Sequence, residues 1–317
     1  MSLNVTTEDE YQGLLSLWSD LESGLAVVLT HPDSVQEFEQ RVCQYDRWLQ
    51  DLIKHDTDVG LYLLFQLAIT SPVGYSASHA LVCAVLCHLI AVDFSLPQAQ
   101  RNSLVRAALT MNIAMTTLQD QLATQRGRPN AEQQVAIRAH AVKSALMLAN
   151  KGITDELWIE IVQQHHRDDS SSTHWNAMSA PDQLAHILQS VDRYAAMISP
   201  RQSREGRSAT ESAQSLVNTS TDRGNLVGQA LVRIVGLCPP GTVVKLDDGD
   251  IAVVMRRSAT LNLPDVAIVI DHKGSLIRPP RRHPTSAGSP TISVALPPSA
   301  VQERINHHLI LQLGAQS

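Results

Sequence analysis

The 317-residue sequence predicts a mainly α protein with a small β-rich subdomain at its C-terminus. Up to about residue 238, apolar residues repeat at spacings of three and four, which is the periodicity of amphipathic helices. After about residue 240, Pro and Gly breaks alternate with short β-rich runs. Apolar residue types make up 44% of the chain, which provides a real core and excludes a mainly disordered protein.

The N-terminal region, residues 1–58, carries two segments of helical spacing, at 11–29 and 34–54. In the first segment, apolar residues such as Leu14 and Trp18 lie four apart and therefore share one helix face. We predict a pair of N-terminal helices here.

Residues 59–238 are predicted as a helical domain, and the segment 200–212, rich in Ser and Arg, as an exposed linker near its end. The segment 97–122 is predicted to form either one long helix or a pair of helices separated by a break. The predicted helices of this region cover residues 59–70, 76–92, 97–122, 131–149, 154–166 and 182–198.

Residues 239–317 are predicted as the β-rich subdomain, built from two hairpins. The β-rich runs cover residues 242–246, 251–256, 266–271 and 276–278. The Arg- and Pro-rich segment 278–290 is predicted as a solvated loop, with contact to an anionic partner as the alternative.

Charge and apolar content indicate a cytoplasmic protein. The net charge of −6 gives no general attraction to nucleic acid, and the acidic N-terminus lacks the apolar segment of a secretory signal. The apolar stretches 60–70 and 80–92 are shorter than the ~20 residues that span a bilayer. The cysteines form no disulfide framework; Cys83 and Cys87 are predicted as core residues, with a metal pair as the alternative. We expect neither nucleic acid nor a membrane as partner.

Thirteen histidines outnumber the twelve aromatic residues, and several lie among apolar helical residues. Imidazole is both a common metal ligand and a proton donor near neutral pH. The candidate site residues are His79, His140, the pair His165–His166, and Asp192. Each also has a structural explanation: single histidines occur in cores, imidazolium suits a helix C-terminus, and a buried aspartate can pair with an arginine.

Taken in order, these features resemble the HD-GYP branch of the HD-domain phosphohydrolases, from about residue 60 to 200. The stretches that carry the resemblance are SASHALVCAVL, LVRAALTMNIAM, AIRAHAVKSALML, WIEIVQQHH and VDRYAAMISPRQS. The resemblance implies an HD-domain helical bundle with a small β-rich C-terminal subdomain. It also implies a site in which two or three metal ions activate a water that hydrolyses cyclic di-GMP, held together by a bridging carboxylate.

The sequence departs from the family pattern at the His-Asp dyad, which reads Met111-Asn112. A thioether is a poor ligand for hard cations, and Asn112 lacks the charge of the bridging aspartate. Further departures from the family's residues are Tyr75, Met115, Arg167, Ala195 and the segment Ser171–Trp175 in place of the Gly-Tyr-Pro loop. The resemblance is therefore to a degenerate member, in which a dinuclear phosphodiesterase site is not expected.

The surviving residues leave two interpretations of the site. His140, His165 and His166 match ligands of a single metal in the family, and three imidazoles can hold one Fe, Mn or Zn ion with an open position. Alternatively they are remnants, hydrogen-bonded in a pocket that binds no metal. The cofactor is thus expected to be none or a single divalent metal.

These observations predict an HD-GYP-like bacterial signalling protein that is catalytically inactive and acts by binding a protein partner or a cyclic dinucleotide. The alternative is an active metal-dependent phosphohydrolase, such as a cyclic di-GMP phosphodiesterase, working with a reduced metal site. We assign no catalytic residue, and the sequence gives no oligomeric state.

Overall fold

The computed structural model describes residues 7–70, 73–167, 174–199, 209–217, 222–260, 262–297, 301 and 305–315. Most of the predicted linker 200–212 and of the polar segment 167–173 lies outside these residues. Within them, the protein is mainly α-helical and carries a small antiparallel sheet towards its C-terminus. The predicted fold class is confirmed.

The helices follow the predicted order, with small shifts at their ends. The segment 97–122 is a broken pair, because residues Ile113–Met115 form a separate 3₁₀ turn. The helices are α1 (Glu8–Thr30), α2 (Phe38–His55), α3 (Thr57–Thr70), α4 (Tyr75–Asp93), α5 (Gln98–Thr110), α6 (Thr116–Thr124), α7 (Ala131–Asn150), α8 (Glu156–Gln164), α9 (Ala180–Ile198), α10 (Ala209–Val217), α11 (Asp222–Val235) and α12 (His307–Ala315). The sequence did not predict α10, α11 and α12.

Three consecutive helices, α7, α8 and α9, begin at a side-chain cap. The side chains of Asn130, Asp155 and Ser179 each accept a hydrogen bond from a backbone N–H in the first helical turn. Such a cap typically contributes about 1 kcal/mol and fixes where a helix starts. The caps therefore set the positions of the helices that carry the candidate site residues.

Helix α4 lies at the centre of the bundle and packs against α1, α2, α3, α5, α6, α9 and α11. Its length and apolar composition would also suffice to cross a membrane, but 83% of its most apolar 18-residue window is buried inside the protein. Both α3 and α4 are buried core helices, as predicted.

The sheet has the strand order β4-β3-β2-β1-β5, and all neighbouring strands are antiparallel. The strands are β1 (Val243–Leu246), β2 (Ile251–Arg256), β3 (Asp265–Ile270), β4 (Leu276–Pro284) and β5 (Ile292–Leu296). The prediction of a solvated loop at 278–290 is wrong for its first half, which continues β4. An edge strand pairs on one side only and tolerates Pro279 and Pro280, whose nitrogens cannot donate a hydrogen bond.

One hydrophobic core extends from α1 and α2 through the bundle to one face of the sheet, where Val253, Met255 and Val269 join it. A second, smaller cluster covers the other face and includes Val254 and Ile268. The division into residues 1–58, 59–238 and 239–317 stays a prediction.

Two arginines at the end of β2 connect the sheet to the helices. Arg256 pairs with Asp56 and donates from Nε to the Gly314 carbonyl of α12 at 2.6 Å. Arg257 pairs with Asp58, next to the start of α3, at 2.5 Å. These contacts join segments that are about 200 residues apart in the chain.

Candidate metal centre

The structure brings the five predicted residues together at one place in the bundle. His79 comes from α4, His140 from α7 and Asp192 from α9. His165 and His166 directly follow the last residue of α8, so both side chains reach the same site. Their assignment as metal ligands stays a prediction.

His140, His165 and His166 form a three-histidine cluster, which we call the triad. Their potential ligand atoms all lie within 4.8 Å of one another, and the Nε2 atoms of His140 and His165 are 3.2 Å apart. His140 and His165 are buried, whereas the His166 side chain is 43% exposed. Two histidines of the triad are therefore buried, and the third lies at the surface.

Two backbone carbonyls orient the buried rings. Nδ1 of His140 donates to the Ile137 carbonyl at 2.5 Å, and Nδ1 of His165 donates to the Val162 carbonyl at 2.6 Å. A carbonyl oxygen only accepts hydrogen bonds, so each neutral ring carries its proton on Nδ1. The lone pairs of both Nε2 atoms therefore face each other.

This arrangement fits a bound cation. Burial lowers the pKa of His140 and lowers the pKa of His165 to about 3, with the neighbouring His166 adding to the effect at His165, so both rings are neutral at pH 7. Two lone pairs in contact repel each other unless a positive charge lies between them. Two nitrogens bound tetrahedrally to one metal at ~2.0–2.1 Å lie roughly 3.3 Å apart, close to the observed separation.

A second group consists of His79, Cys83 and Asp192. His79 Nε2 donates to Asp192 Oδ1 at 2.8 Å, and Cys83 Sγ lies 3.6 Å from the same nitrogen. The ring of Tyr75 stacks on His79 with a centroid distance of 5.3 Å. Asp192 Oδ2 is 3.8 Å from His166 Nε2. One carboxylate thus faces both groups, with one oxygen towards each.

Asp192 is ionised at neutral pH. Burial raises its pKa, but the hydrogen bond from His79 and the nearby histidines lower it more, and the net pKa is well below its usual range. Among the described residues the side chains that face its carboxylate oxygens are His79 and His166, not the arginine that the sequence left open.

The two residues at the position of the family's His-Asp dyad, Met111 and Asn112, carry no negative charge. Met111 is buried at the end of α5, and Asn112 precedes the 3₁₀ turn that packs against α7. A thioether and a neutral amide offer no charged oxygen to hold two cations together. The residues present therefore fit one cation on the triad but do not fit a dinuclear centre bridged from the dyad.

Cys83 lies in a candidate ligand group, with His79 and Asp192, that the sequence interpretation did not predict. It was predicted as a core residue beside Cys87, and both are indeed buried and have free thiols. The available signal was the spacing of four between His79 and Cys83, which places both on one helix face. Cys87 does not belong to either ligand group.

The departures near the triad have local partners. Arg167 donates to the Asp182 carboxylate at 3.0 Å, which offsets its positive charge. Residues 171–173 of the altered loop lie outside the described residues. Trp175 begins a 3₁₀ turn and contacts Phe94 edge to face.

A cavity of about 680 Å³ lies beside the triad, between α7 and α8. Its wall includes His166 together with two basic residues, Arg138 and Arg167. The exposed side of the triad can therefore be reached from solvent.

Comparisons with known proteins concern the chain and its fold, not the individual site residues. A scan against descriptions of protein families gives no match. The chain is 22% identical over 247 residues to cyclic di-GMP phosphodiesterase PA4108 from Pseudomonas aeruginosa, covering 77% of this chain and 56% of that protein.

The fold is similar to the solved structure of Bd1817, a HDG"Y"P protein from Bdellovibrio bacteriovorus. The TM-score is 0.52 at 14% identity, covering 68% of this chain and 69% of that one. This likeness concerns the fold. Together the two relatives confirm that the chain resembles the HD-GYP type of HD-domain phosphohydrolase.

Proposed function

We propose that this protein acts in bacterial cyclic di-GMP signalling as a binding protein that has lost dinuclear phosphodiesterase chemistry. It acts in the cytoplasm, keeps the triad as a site for one divalent cation, and binds a cyclic dinucleotide or a protein partner. The link to cyclic di-GMP rests on the curated relative, whose length this chain matches over 56%.

The observation that carries the loss of activity is Met111-Asn112. In two-metal hydrolysis the cations lie ~3.5–4 Å apart, and an anionic bridge offsets their repulsion. Asn112 cannot supply that charge.

The triad supports a single cation, for which Fe, Mn and Zn are the candidates. His140 and His165 hold their Nε2 lone pairs in place through the carbonyls of Ile137 and Val162. His166 is the third histidine of the triad and lies at the surface. A cation bound there supplies an electrophilic anchor for a phosphate oxygen.

The cavity beside His166 supports an anionic ligand. Arg138 and Arg167 contribute guanidinium groups to its wall, and guanidinium matches the geometry of phosphate oxygens. The same wall also carries Glu156 and Glu160, so a phosphodiester of a cyclic dinucleotide would bind at the two guanidinium groups and not across the whole wall.

The decisive experiment is a hydrolysis assay. The purified protein is loaded with Mn²⁺ or Fe²⁺ and incubated with cyclic di-GMP, and calorimetry with the same nucleotide measures binding. We expect no turnover above that of the His165→Ala variant. Turnover that disappears in His165→Ala would show an active phosphodiesterase and overturn the proposal.

The second candidate is an active phosphohydrolase that uses one metal. The exposure of His166 favours it, because a metal on the triad has a path to solvent through the cavity. A panel of phosphate monoesters and diesters distinguishes the two candidates: metal-dependent hydrolysis of any ester, lost in His165→Ala, identifies the enzyme.

A further inference from the structure

A mixed cluster of nitrogen, sulfur and oxygen donors lies beside the triad. His79 and Cys83 are four residues apart on α4 and share one helix face, while Asp192 reaches them from α9. The ligand atoms of the three side chains lie within 4.8 Å of one another. The functions proposed above make no use of Cys83.

The distances match those of a thiolate-containing metal site. Bonds of ~2.3 Å to sulfur and ~2.0–2.1 Å to nitrogen, at a tetrahedral angle, place the two donor atoms roughly 3.6 Å apart. Cys83 Sγ and His79 Nε2 are 3.6 Å apart. Asp192 Oδ1 lies 2.8 Å from that nitrogen, so a shift of about half an ångström would admit a cation between them.

Charge and surroundings also favour a cation here. The cluster is buried: His79 is 1% exposed, Cys83 is 0% exposed and the Asp192 side chain is 15% exposed. Once an ion displaces the Cys83 proton, a thiolate and the Asp192 carboxylate together offset both charges of a divalent ion, which imidazole ligands alone cannot do. Tyr75 stacks on His79 and restricts the rotation of its ring.

We propose that His79, Cys83 and Asp192 form a second cation site, specific for Zn²⁺ or another thiophilic divalent ion. Sulfur ligation distinguishes it from the nitrogen-only triad, because soft thiolates select Zn²⁺ over the harder Mn²⁺. Binding releases the Cys83 thiol proton to solvent, and the ring proton of His79 moves from Nε2, which binds the ion, to Nδ1, where the Tyr75 hydroxyl oxygen is 3.5 Å away. Asp192 binds this ion through Oδ1, and its Oδ2 stays on the side of the triad.

Cobalt is the probe for this site, since Co²⁺ adopts zinc geometries and a Co²⁺–thiolate bond gives a charge-transfer absorption in the near ultraviolet. The metal-free full-length protein is titrated with Co²⁺. We expect the charge-transfer band in the wild type and in Cys87→Ser, and its loss in Cys83→Ser. Cys87 is a matched control, because it is equally buried one turn further along α4.

The His165→Ala variant separates this inference from the proposed function. It should lose the cation of the triad but keep the charge-transfer band, and Zn²⁺ should displace Co²⁺ and abolish the band. A wild type without the band, or a band that persists in folded Cys83→Ser, would overturn the second site. If Cys83→Ser does not fold, as judged by circular dichroism, the presence or absence of the wild-type band decides.

Discussion

The carbonyls of Ile137 and Val162 determine what the triad can do, because they occupy Nδ1 of both buried rings and leave Nε2 free. Partners of this kind fix the tautomer and the orientation of metal-binding histidines.

Replacing His165 should remove the triad cation. We expect His165→Ala loaded with Mn²⁺, an ion that the thiolate of the second site does not select, to retain at least roughly tenfold less tightly bound Mn²⁺ than the wild type, because losing a ligand costs more than losing its supporting partner. Metal analysis by mass spectrometry after extensive dialysis measures this. His174→Ala, a change at an exposed histidine, is the control. Equal metal content in His165→Ala and the wild type would contradict the triad as a metal site.

The metal-free protein should lose stability as the pH falls below about 6.5. Burial lowers the pKa of His88, His140, His165 and His307, so the unfolded chain binds protons at these positions before the folded chain does. Above the unfolded pKa both states are neutral and the effect vanishes. Below it, each such imidazole costs up to about 1.4 kcal/mol per pH unit.

Urea unfolding at several pH values in the presence of a chelator measures this dependence. The slope should be shallower in His165→Asn, whose side chain does not titrate, and unchanged in His174→Asn. An identical slope in all three proteins would contradict the role of His165.

The ordered spacing of polar residues on apolar helices, together with the family resemblance, was enough to predict five residues that lie at one place in the bundle, and their role as metal ligands stays a prediction. It was not enough for Cys83, since a thiol in an apolar helix looks like any small core residue. Its relation to Asp192 depends on how α4 packs against α9, and His79 and Asp192 are 113 residues apart in the chain.

At the scale of elements, the start of α4 depends on another helix. Its N-cap residue, Gly74, has no side chain to accept a hydrogen bond from the first turn. The carboxylate of Asp120, from α6, accepts that hydrogen bond instead. The Asp120 carboxylate accepts from the Ser76 backbone N–H at 2.7 Å and from the Ser76 hydroxyl at 3.0 Å. Gly74 has a φ of 149°, and a Cβ there would lie 3.3 Å from the Asp120 carboxylate.

Asp120→Ala should therefore destabilise the protein by about 1–2 kcal/mol, the usual cost of a lost helix cap. Chemical denaturation of the metal-free protein gives the free energy of unfolding. Asp51→Ala is the control, because Asp51 is 71% exposed and its weak pair with Lys54 contributes less than about 0.5 kcal/mol. An Asp120→Ala variant as stable as this control would show that the cap is dispensable.

Helices and strands whose ends are marked by a local sequence signal, such as a helix cap, were predicted better than those without one. Helix α7 runs over Ala131–Asn150 against a predicted 131–149, because Asn130 and Gln133 form a capping box at its start. Strand β5 has no comparable signal, since its pairing with β1 joins segments almost 50 residues apart. The prediction ended strand β4 too early, at residue 278. Its prolines and arginines are typical of a loop, and only the position of the strand at the sheet edge explains them.

At the scale of the whole molecule, Arg256 connects parts of the chain that the sequence divides into separate regions. It pairs with Asp56 and Asp58 from the N-terminal region and donates to the Gly314 carbonyl near the C-terminus. The shared hydrophobic core extends across the same boundaries.

Arg256→Ala should cost about 2 kcal/mol, because it removes the arginine partner of the partly buried Asp56 carboxylate and of the Gly314 carbonyl. Unfolding in urea should remain a single transition seen alike by tryptophan fluorescence and circular dichroism. Arg282→Ala, which removes a pair with Asp265 at the sheet surface, should cost no more than about 1 kcal/mol. Two separate transitions in the wild type would contradict a shared core.

The central position of α4 also has a consequence for how the chain is made. This apolar helix leaves the ribosome well before α9 and α11, two of the helices that bury it. At 5–20 residues per second, synthesis of the roughly 140 residues from the end of α4 to the end of α11 takes about 7–30 s. Throughout that interval the nascent chain exposes the faces of this apolar helix that α9 and α11 later cover, which makes it a substrate for chaperones that bind hydrophobic sequences during translation.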